Sequence, residues 1–220
     1  MSSGTDLAGM YDRRFAGEAR FRVAMWRVLC QKFFQRYVDR SATVLEVGAG
    51  HCEFINNIEA ARKIAVDLSN DTPHYAAAGV QVVQTASTDL SAVAGGTADV
   101  AFASNFFEHI SKPDILATLR ELRRVLRPDG KLLILQPNIR YCARDYWMFF
   151  DHITPLDDSS LIEALELCGL EAVEVIRRFL PFTTKSALPK SLALLRIYLA
   201  VPLLWRLFGA QSFIVARPRP

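Results

Sequence analysis

Residues 44–54, VLEVGAGHCEF, combine an apolar run, an acid and two glycines in a spacing that suits a ligand-binding turn. Gly48 and Gly50 follow the apolar run, and a residue without a β-carbon lets the chain turn sharply and approach a ligand closely. In open α/β sheets, ligands bind at the carboxyl ends of the strands, where such turns lie. The two glycines therefore predict a ligand site without identifying the ligand.

Two carboxylates narrow the choice of ligand. Glu46 stands inside the apolar run, where a charge is unfavourable unless it has a partner. Asp67 ends the next apolar segment, where an acid can accept both hydroxyls of a ribose. A carboxylate in the glycine turn would repel a pyrophosphate but suits a positive amino group. Alternatively, Glu46 caps backbone N–H groups and Asp67 is an ordinary strand-end acid. Together the two acids favour a ribose-bearing cofactor with a cationic end.

Hydrophobic periodicity predicts the elements that position these residues. Uniformly apolar segments predict seven strands, at residues 41–50, 64–69, 79–85, 98–105, 131–137, 171–176 and 212–218. Helical patterns occupy residues 18–38, 53–63, 113–126 and 159–170. In the third helix one face holds Ile115, Leu119, Leu122 and Leu126, and RPDG at 127–130 predicts a turn after it. Apolar strands that alternate with helices are typical of a largely parallel sheet covered on both faces.

We therefore predict a single α/β domain, a doubly wound Rossmann-like sheet of seven mostly parallel strands with helices on both faces. Within it, residues 1–40 form an N-terminal helical lid and 41–178 the core. Residues 179–209 form an apolar and basic helical insertion, and 210–220 contain the last strand.

The motifs VLEVGAGHCEF, AVDLS, ADVAFASNFFEHI and LRRVLRPDGKLLIL occur in this order within residues 44–135. Together they resemble the class I S-adenosylmethionine-dependent methyltransferases. The resemblance implies a seven-stranded sheet with one antiparallel strand near the C-terminus, and S-adenosylmethionine as the cofactor. It implies that Glu46, Gly48 and Gly50 surround the methionine part and that Asp67 holds the ribose. Asn105 and Phe106 would border the sulfonium and the acceptor site.

The chain departs from that family at two positions. Cys52 stands where the family often has glycine, and a small thiol can fit at a helix start. Ala86 stands where an acid often binds the adenine amino group, so Ser87 or Asp89 would have to serve instead. Tyr11 could close over the cofactor as a lid residue. The predicted cofactor site comprises Glu46, Gly48, Ala49, Gly50, Asp67, Leu68, Ser87, Asp89, Asn105, Phe106 and Tyr11.

A narrower resemblance covers nearly the whole chain. The segments YDRRF, SNFFEHI, QPNIRY, YWMFFDHITPL, FLPFTTKS and LWRLFG are similar to those of a bacterial subgroup associated with polysaccharide or glycolipid gene clusters. The acceptors of this subgroup are poorly defined, so the likeness informs the fold more than the substrate.

Methyl transfer is an in-line displacement in which the protein mainly aligns the nucleophile, and a hydroxyl acceptor also benefits from a general base. His152 is the candidate base because histidine titrates near neutral pH. We predict His152, Asp151 and Tyr146 as catalytic residues; alternatively His152 is a structural loop residue. His109 is expected to be structural. The other candidates at the ends of the fourth and fifth strands are Glu108, Asn138, Tyr141 and Trp147, of which the aromatic ones could stack on an acceptor or pack in the core.

Charge is distributed unevenly along the chain. Eight basic residues and no acidic one follow Glu174, whereas the first 174 residues hold 18 basic and 23 acidic residues. The basic segment could meet anions or be a solvated face. We expect residues 179–209 to cap the acceptor pocket, pack against a second subunit in a homodimer, or lie on a lipid surface as a peripheral membrane contact. The basic segment lacks the interleaved aromatic and basic residues of a strand-binding groove, so it does not favour nucleic acid as the substrate.

Localisation and metal content follow from simpler features. The four cysteines are widely spaced, which argues against a zinc site or a disulfide scaffold and fits a reducing cytoplasm. We therefore predict a cytoplasmic protein without metal-binding residues. The N-terminus lacks the apolar core of a signal peptide. The most apolar segment, residues 192–208, is interrupted by Arg196, Pro202 and Arg206 and falls short of the roughly 20 residues of a membrane-spanning helix.

The sequence thus predicts an S-adenosylmethionine-dependent methyltransferase that acts on a small molecule or glycan precursor, at oxygen rather than nitrogen. Two alternatives remain open. The chain could transfer the aminobutyryl group or cyclise it, releasing methylthioadenosine, or it could be a non-catalytic module that binds the cofactor.

Overall fold

The computed structural model describes residues 17, 19–182 and 190–219, and strands and helices alternate along them. The strands are β1 Thr43–Val47, β2 Arg62–Asp67, β3 Val80–Gln84, β4 Ala98–Ser104, β5 Leu126–Pro137, β6 Leu170–Ile176 and β7 Gln211–Pro218. The helices are α1 Ala19–Lys32, α2 Glu53–Asn57, α3 Thr72–Tyr75, α4 Lys112–Val125, α5 Ile139–Tyr146, α6 Asp158–Leu167, α7 Leu192–Ala200 and α8 Pro202–Phe208. Short 3-10 turns span Phe34–Tyr37 and Phe107–His109.

The seven strands form one sheet in the order β3-β2-β1-β4-β5-β7-β6. β7 runs antiparallel to β5 and to β6, and the other pairs are parallel. The predicted sheet, with its one antiparallel strand near the C-terminus, is confirmed. The strand order reverses between β1 and β4, and a ligand crevice forms at such a switch point, outside the carboxyl ends of the strands.

Two apolar layers cover the two faces of the sheet. In β1, Val44 belongs to the layer that also holds α1, α2 and Trp205 of α8, whereas Leu45 and Val47 belong to the layer with α4 and α6. Alternate side chains of a strand point to opposite faces, so an apolar run is buried on both sides. The prediction of helices on both faces is confirmed. Glu46 lies between Leu45 and Val47, and its side chain therefore points to the α1–α2 face.

The structure corrects two local predictions around α4. The helix ends at Val125, and Leu126, predicted on its apolar face, is the first residue of β5. Residues 127–130, predicted as a turn after the helix, lie inside β5 as a bulge, because Ala98 pairs with Leu126 and the next pair joins Val100 to Lys131. A β-carbon on Gly130 would lie 3.1 Å from the Ala98 carbonyl oxygen, so glycine lets the bulged chain pass close to β4.

The helices α7 and α8, here called the C-terminal helical pair, pack against α1. Leu199 and Trp205 are buried in the layer that contains α1. Phe179, which precedes the pair, stacks on Phe33 with the ring centroids 3.9 Å apart. The Tyr198 hydroxyl donates a hydrogen bond to the Phe179 carbonyl oxygen at 2.5 Å. Through this side chain the pair is joined to the segment that leads out of β6.

No helix among the described residues combines the length and the apolar character that crossing a bilayer requires.

Candidate functional site

The turn after β1 adopts a backbone that demands glycine. Gly48 has φ +64°, and a β-carbon there would lie 2.3 Å from Cδ2 of Phe106. Gly50 has φ +47°. The loop after β4 therefore contacts the loop after β1, and the ring of Phe106 lies over Gly48. Cys52 is fully buried and stands directly before α2, at the helix start where the sequence places it.

Glu46 is buried and tied to the helix that follows the turn. Its side chain is 4% exposed, and its Oε2 accepts a hydrogen bond of 3.0 Å from the backbone N–H of Ile55 in α2. Burial raises the pKa of Glu46 well above the ordinary value, and the hydrogen bond from Ile55 offsets only part of this effect. The capping contact considered above is present. A buried carboxyl beside the turn is also suited to receive a cationic amino group.

Asp67 joins the turns after β1 and β2. Its Oδ2 accepts a hydrogen bond of 2.7 Å from the Gly50 N–H, and its Oδ1 accepts one of 2.8 Å from the Ser69 N–H. A carboxylate has about four acceptor positions, so both oxygens retain capacity for ribose hydroxyls. The adjacent Leu68 is 70% exposed.

The two residues predicted to contact adenine are engaged elsewhere in this conformation. The Ser87 hydroxyl lies 2.7 Å from the Thr118 hydroxyl of α4. Asp89 is exposed, and hydrogen bonds from Ser91 hold its pKa below the ordinary value. Contact of either residue with adenine stays a prediction. Tyr11, predicted as a lid residue, lies outside the described residues.

A second group of side chains lies beyond the ends of β4 and β5. Glu108, His109, Asp151 and His152, here called the imidazole–carboxylate cluster, come from the turn after β4 and from the loop between α5 and α6. The Glu108 carbonyl oxygen accepts hydrogen bonds from the N–H groups of Ile153 and Thr154 at 2.8 and 3.1 Å. These backbone bonds hold the loop with His152 against the turn with His109.

The side chains of the cluster face one another. Glu108 is 1% exposed, and its Oε2 accepts a hydrogen bond of 3.0 Å from Nε2 of Gln136 in β5. Burial raises the pKa of Glu108. Its Oε1 lies 3.8 Å from Nε2 of His109, and Nδ1 of His109 lies 3.3 Å from Oδ2 of Asp151. The rings of His109 and His152 lie 4.9 Å apart between centroids. Sequence reasoning treated His109 as structural and did not foresee this arrangement.

The aromatic candidates divide into a buried residue and exposed ones. Tyr146 is fully buried, and its hydroxyl donates a hydrogen bond of 2.6 Å to the Thr154 carbonyl oxygen. This geometry supports a positioning role for Tyr146, which holds the loop that carries His152, and a catalytic role for Tyr146 stays a prediction. Tyr141 and Trp147 are 39% and 58% exposed.

Asn138 performs a structural task at the start of α5. Its amide nitrogen donates hydrogen bonds to Asp158 and Ser212, and its oxygen accepts one from the N–H of Arg140. Of the candidates beyond β4 and β5, Asp151 and His152 therefore join Glu108 and His109, whereas Asn138 does not take part.

Comparisons with known proteins bear on the family and the fold. Residues 19–175 match a family model described as a methyltransferase domain. No protein with curated function is similar enough in sequence to be matched. Among solved structures, an S-adenosylmethionine-dependent methyltransferase from Archaeoglobus fulgidus is 20% identical, with a TM-score of 0.65 over 94% of this chain and 98% of that chain.

Two further structures share the fold. One comes from the complex between the Haloferax volcanii methyltransferase activator Trm112 and a methyltransferase, with 16% identity and a TM-score of 0.71 over 99% of this chain and 98% of that chain. The other is the [4+2]-cyclase SpnF, with 16% identity and a TM-score of 0.62 over 88% of this chain and 80% of that chain. At such identities these likenesses establish the fold alone.

The family match spans most of the chain and includes the glycine turn, Asp67 and the loop after β4. The chain belongs to the methyltransferase-domain family.

Proposed function

We propose that the protein transfers the methyl group of S-adenosylmethionine to an oxygen atom of a small molecule or glycan precursor. The observation that supports oxygen as the acceptor atom is the imidazole–carboxylate cluster beyond the ends of β4 and β5. Its first residue, Glu108, comes two positions after Phe106. A hydroxyl must lose its proton as it attacks, and imidazole and carboxylate groups accept protons near neutral pH. An amine needs no such group once it is deprotonated.

In the proposed site each end of the cofactor has its own residues. Glu46 receives the amino group, the turn at Gly48 and Gly50 accommodates the methionine backbone, and Asp67 accepts the ribose hydroxyls. Asn105 and Phe106 then border the sulfonium, between the cofactor and the cluster. The buried environment of Glu46 suits this role because a charge–charge contact is stronger away from water.

The reaction is a single displacement. The acceptor oxygen forms a bond to the methyl carbon as the bond between that carbon and sulfur breaks, and the sulfonium becomes the neutral thioether of S-adenosylhomocysteine. The hydroxyl proton passes to the cluster. Holding the oxygen in line with the carbon–sulfur bond supplies most of the rate enhancement.

The test is product analysis with matched acceptors. Pairs of sugars and phenols that carry either a hydroxyl or an amine at the same position are incubated with the protein and S-adenosylmethionine. S-adenosylhomocysteine formed with hydroxyl acceptors supports the proposal, and formation with the amines alone contradicts it. Methylthioadenosine would indicate aminobutyryl chemistry, and tight cofactor binding without product across the acceptors would indicate a binding module.

A variant pair links the product to the cluster. His152→Ala removes a cluster imidazole and should lower the rate at least tenfold. His74→Ala removes a histidine of α3, outside the cluster, and should leave the rate unchanged.

We further propose that the C-terminal helical pair rests on an anionic membrane surface. Leu203, Leu207 and Phe208 of α8 are 63%, 59% and 50% exposed, and the exposed Arg196 and Arg206 lie on the same pair. Exposed apolar side chains beside arginines suit the boundary of an anionic lipid headgroup layer.

Vesicle sedimentation tests the membrane contact. The protein should co-sediment with vesicles rich in anionic lipid and be released by high salt, and Leu203→Ser should weaken the association. Absence of co-sedimentation, together with a dimer in light scattering that Leu203→Ser dissociates, would assign the same surface to a second subunit instead.

We place the enzyme in the cytoplasm, since all four cysteines are buried thiols without disulfides.

A further inference from the structure

Three side chains of the imidazole–carboxylate cluster form a set of metal ligands. One ligand atom from each of Glu108, His109 and His152 lies within 4.8 Å of the other two. Two imidazoles and a carboxylate are ligands that zinc and neighbouring transition metals prefer. We propose that Glu108, His109 and His152 bind a divalent transition-metal ion at the acceptor end of the cofactor crevice.

The orientation of His109 supports this proposal. Nδ1 of His109 lies 3.1 Å from the carbonyl oxygen and 3.3 Å from Oδ2 of Asp151. We assign the proton to Nδ1, because both neighbours are acceptors. Nε2 then carries the lone pair, and Oε1 of Glu108 lies 3.8 Å from it. A carboxylate beside a ligating histidine fixes the tautomer and ring orientation in many metal sites.

Two electron-pair donors that face each other call for a cation between them. Gln136 donates a hydrogen bond to Oε2 of Glu108, and Oε1 is the oxygen that lies 3.8 Å from His109. Glu108 is 1% exposed, and a buried carboxylate is unfavourable unless positive charge compensates it. The imidazole of His152, whose ring centroid lies 4.9 Å from that of His109, adds a third donor beside this pair.

The spacing of the donors suits an ion after small movements. Ligand atoms about 2.0–2.2 Å from a metal lie about 3.0–3.5 Å from one another in tetrahedral or octahedral geometry. The observed separation of at most 4.8 Å closes to this range if each side chain moves by about 1 Å. The backbone is already fixed, because Ile153 and Thr154 are hydrogen-bonded to Glu108 and Tyr146 to Thr154.

The site has room for a ligand from the substrate. Three protein ligands leave an open position on the ion, as in catalytic zinc sites. The side chain of His109 is 27% exposed, so the open position can face the crevice. An acceptor hydroxyl bound there would lie beside the loop of Asn105 and Phe106.

The catalytic consequence rests on the proposed methyl transfer to oxygen. With the ion bound, the imidazoles are ligands and no longer the proton acceptors described above. Coordination instead lowers the pKa of the acceptor hydroxyl, whose proton passes to solvent water. The metal-bound oxygen then attacks the methyl carbon as the carbon–sulfur bond breaks. The two imidazoles act as ligands in this scheme, and the acceptor class becomes compounds whose reactive hydroxyl can bind a metal ion.

Direct metal binding tests the proposal independently of methyl transfer. Tag-free full-length protein is treated with a chelator, dialysed and titrated with Co²⁺, followed by visible absorption, and with Zn²⁺, followed by calorimetry. We expect one ion per chain with a micromolar or lower Kd. His109→Ala and His152→Ala should each weaken binding at least 100-fold, and Glu108→Gln at least tenfold.

Two more variants separate ligation from other effects. Asp151→Asn should weaken binding about 10–100-fold through the orientation of His109. His74→Ala should bind the metal ion with a Kd within twofold of that of the wild type. Each variant used in the comparison should keep the circular dichroism spectrum and the cofactor affinity of the wild type.

The proposal is overturned if the wild type binds no stoichiometric ion. It is also overturned if His74→Ala loses as much affinity as His152→Ala, or if the three ligand variants bind like the wild type. Stoichiometric binding that depends on the ligands, without S-adenosylhomocysteine production from any acceptor, would uphold the metal site and reject the proposed function.

Discussion

Replacing Asp67 by asparagine tests the predicted ribose contact. The carboxylate of Asp67 holds the N–H groups of Gly50 and Ser69 at 2.7 and 2.8 Å. Asparagine keeps one acceptor oxygen, but its NH₂ group faces one of these donors. A hydrogen bond to a charged group contributes about 1.5–3 kcal/mol, so the loss of one such bond to the cofactor corresponds to a roughly 10–150-fold weaker Kd.

The substitution should also lower the stability of the free protein, because Asp67→Asn loses the hydrogen bond from the Gly50 N–H even when no ligand is bound. A similar loss of about 1.5–3 kcal/mol shifts the Tm of a domain of this size by roughly 3–12 °C. Cofactor binding is therefore measured by titration calorimetry well below the Tm of the variant. Asp71→Asn removes the same charge from an exposed position four residues later and should leave Kd within twofold.

A comparison of ligands separates contact from folding. The wild type should bind adenosine more tightly than 2′,3′-dideoxyadenosine, and Asp67→Asn should lose this preference. If the variant binds S-adenosylmethionine as tightly as the wild type, or retains the full preference for adenosine, the assignment of Asp67 to the ribose is wrong.

Two further substitutions, Glu46→Gln and Gly48→Ala, test the residues predicted to surround the methionine part of the cofactor. Burial raises the pKa of Glu46, so binding of the ammonium group of the cofactor should release a proton from Glu46, and the affinity should fall as the pH drops. Calorimetry near pH 6.5 in two buffers of different ionisation enthalpy should detect this proton release for the wild type but not for Glu46→Gln. Gly48→Ala should cost about 1–2 kcal/mol through its positive φ and, because its β-carbon would displace Phe106, should abolish measurable cofactor binding. Gly79→Ala is the control, because Gly79 has φ +89° but a β-carbon there would meet no atom within 4 Å, so the variant should show the backbone strain alone. Equal loss of cofactor binding in both alanine variants would contradict the steric argument.

Much of the fold could be predicted because its signals are local. A strand buried on both faces is an unbroken apolar run, as at β1, and the glycine turn after it has its own residue pattern. The acid at the end of β2 follows from the same reasoning. The bulge at residues 127–130 could not be predicted, because the same four residues are typical of a tight turn and only the register with β4 shows otherwise.

The imidazole–carboxylate cluster lies beyond such reasoning. His109 and His152 are 43 positions apart, and the residues at 147–157 that bring them together carry no helical or strand pattern. The hydrogen bonds from Ile153 and Thr154 to Glu108 join backbone atoms, so the side-chain types at these positions do not reveal them. The prediction that no residue binds a metal considered cysteine spacing alone. The available sequence signal was a Glu-His pair just after β4, followed by a second histidine in the segment between β5 and β6.

The position of β7 determines when the sheet can be completed during synthesis. β6 pairs with β7, and β7 is inserted between β5 and β6. Until residues 211–218 have left the ribosome, β5 has an open edge and β6 has no neighbour in the sheet. Exposed edges invite pairing with other chains. Until β7 is made, the nascent chain therefore exposes the unpaired edges of β5 and β6, and we expect a folding chaperone to act on these edges.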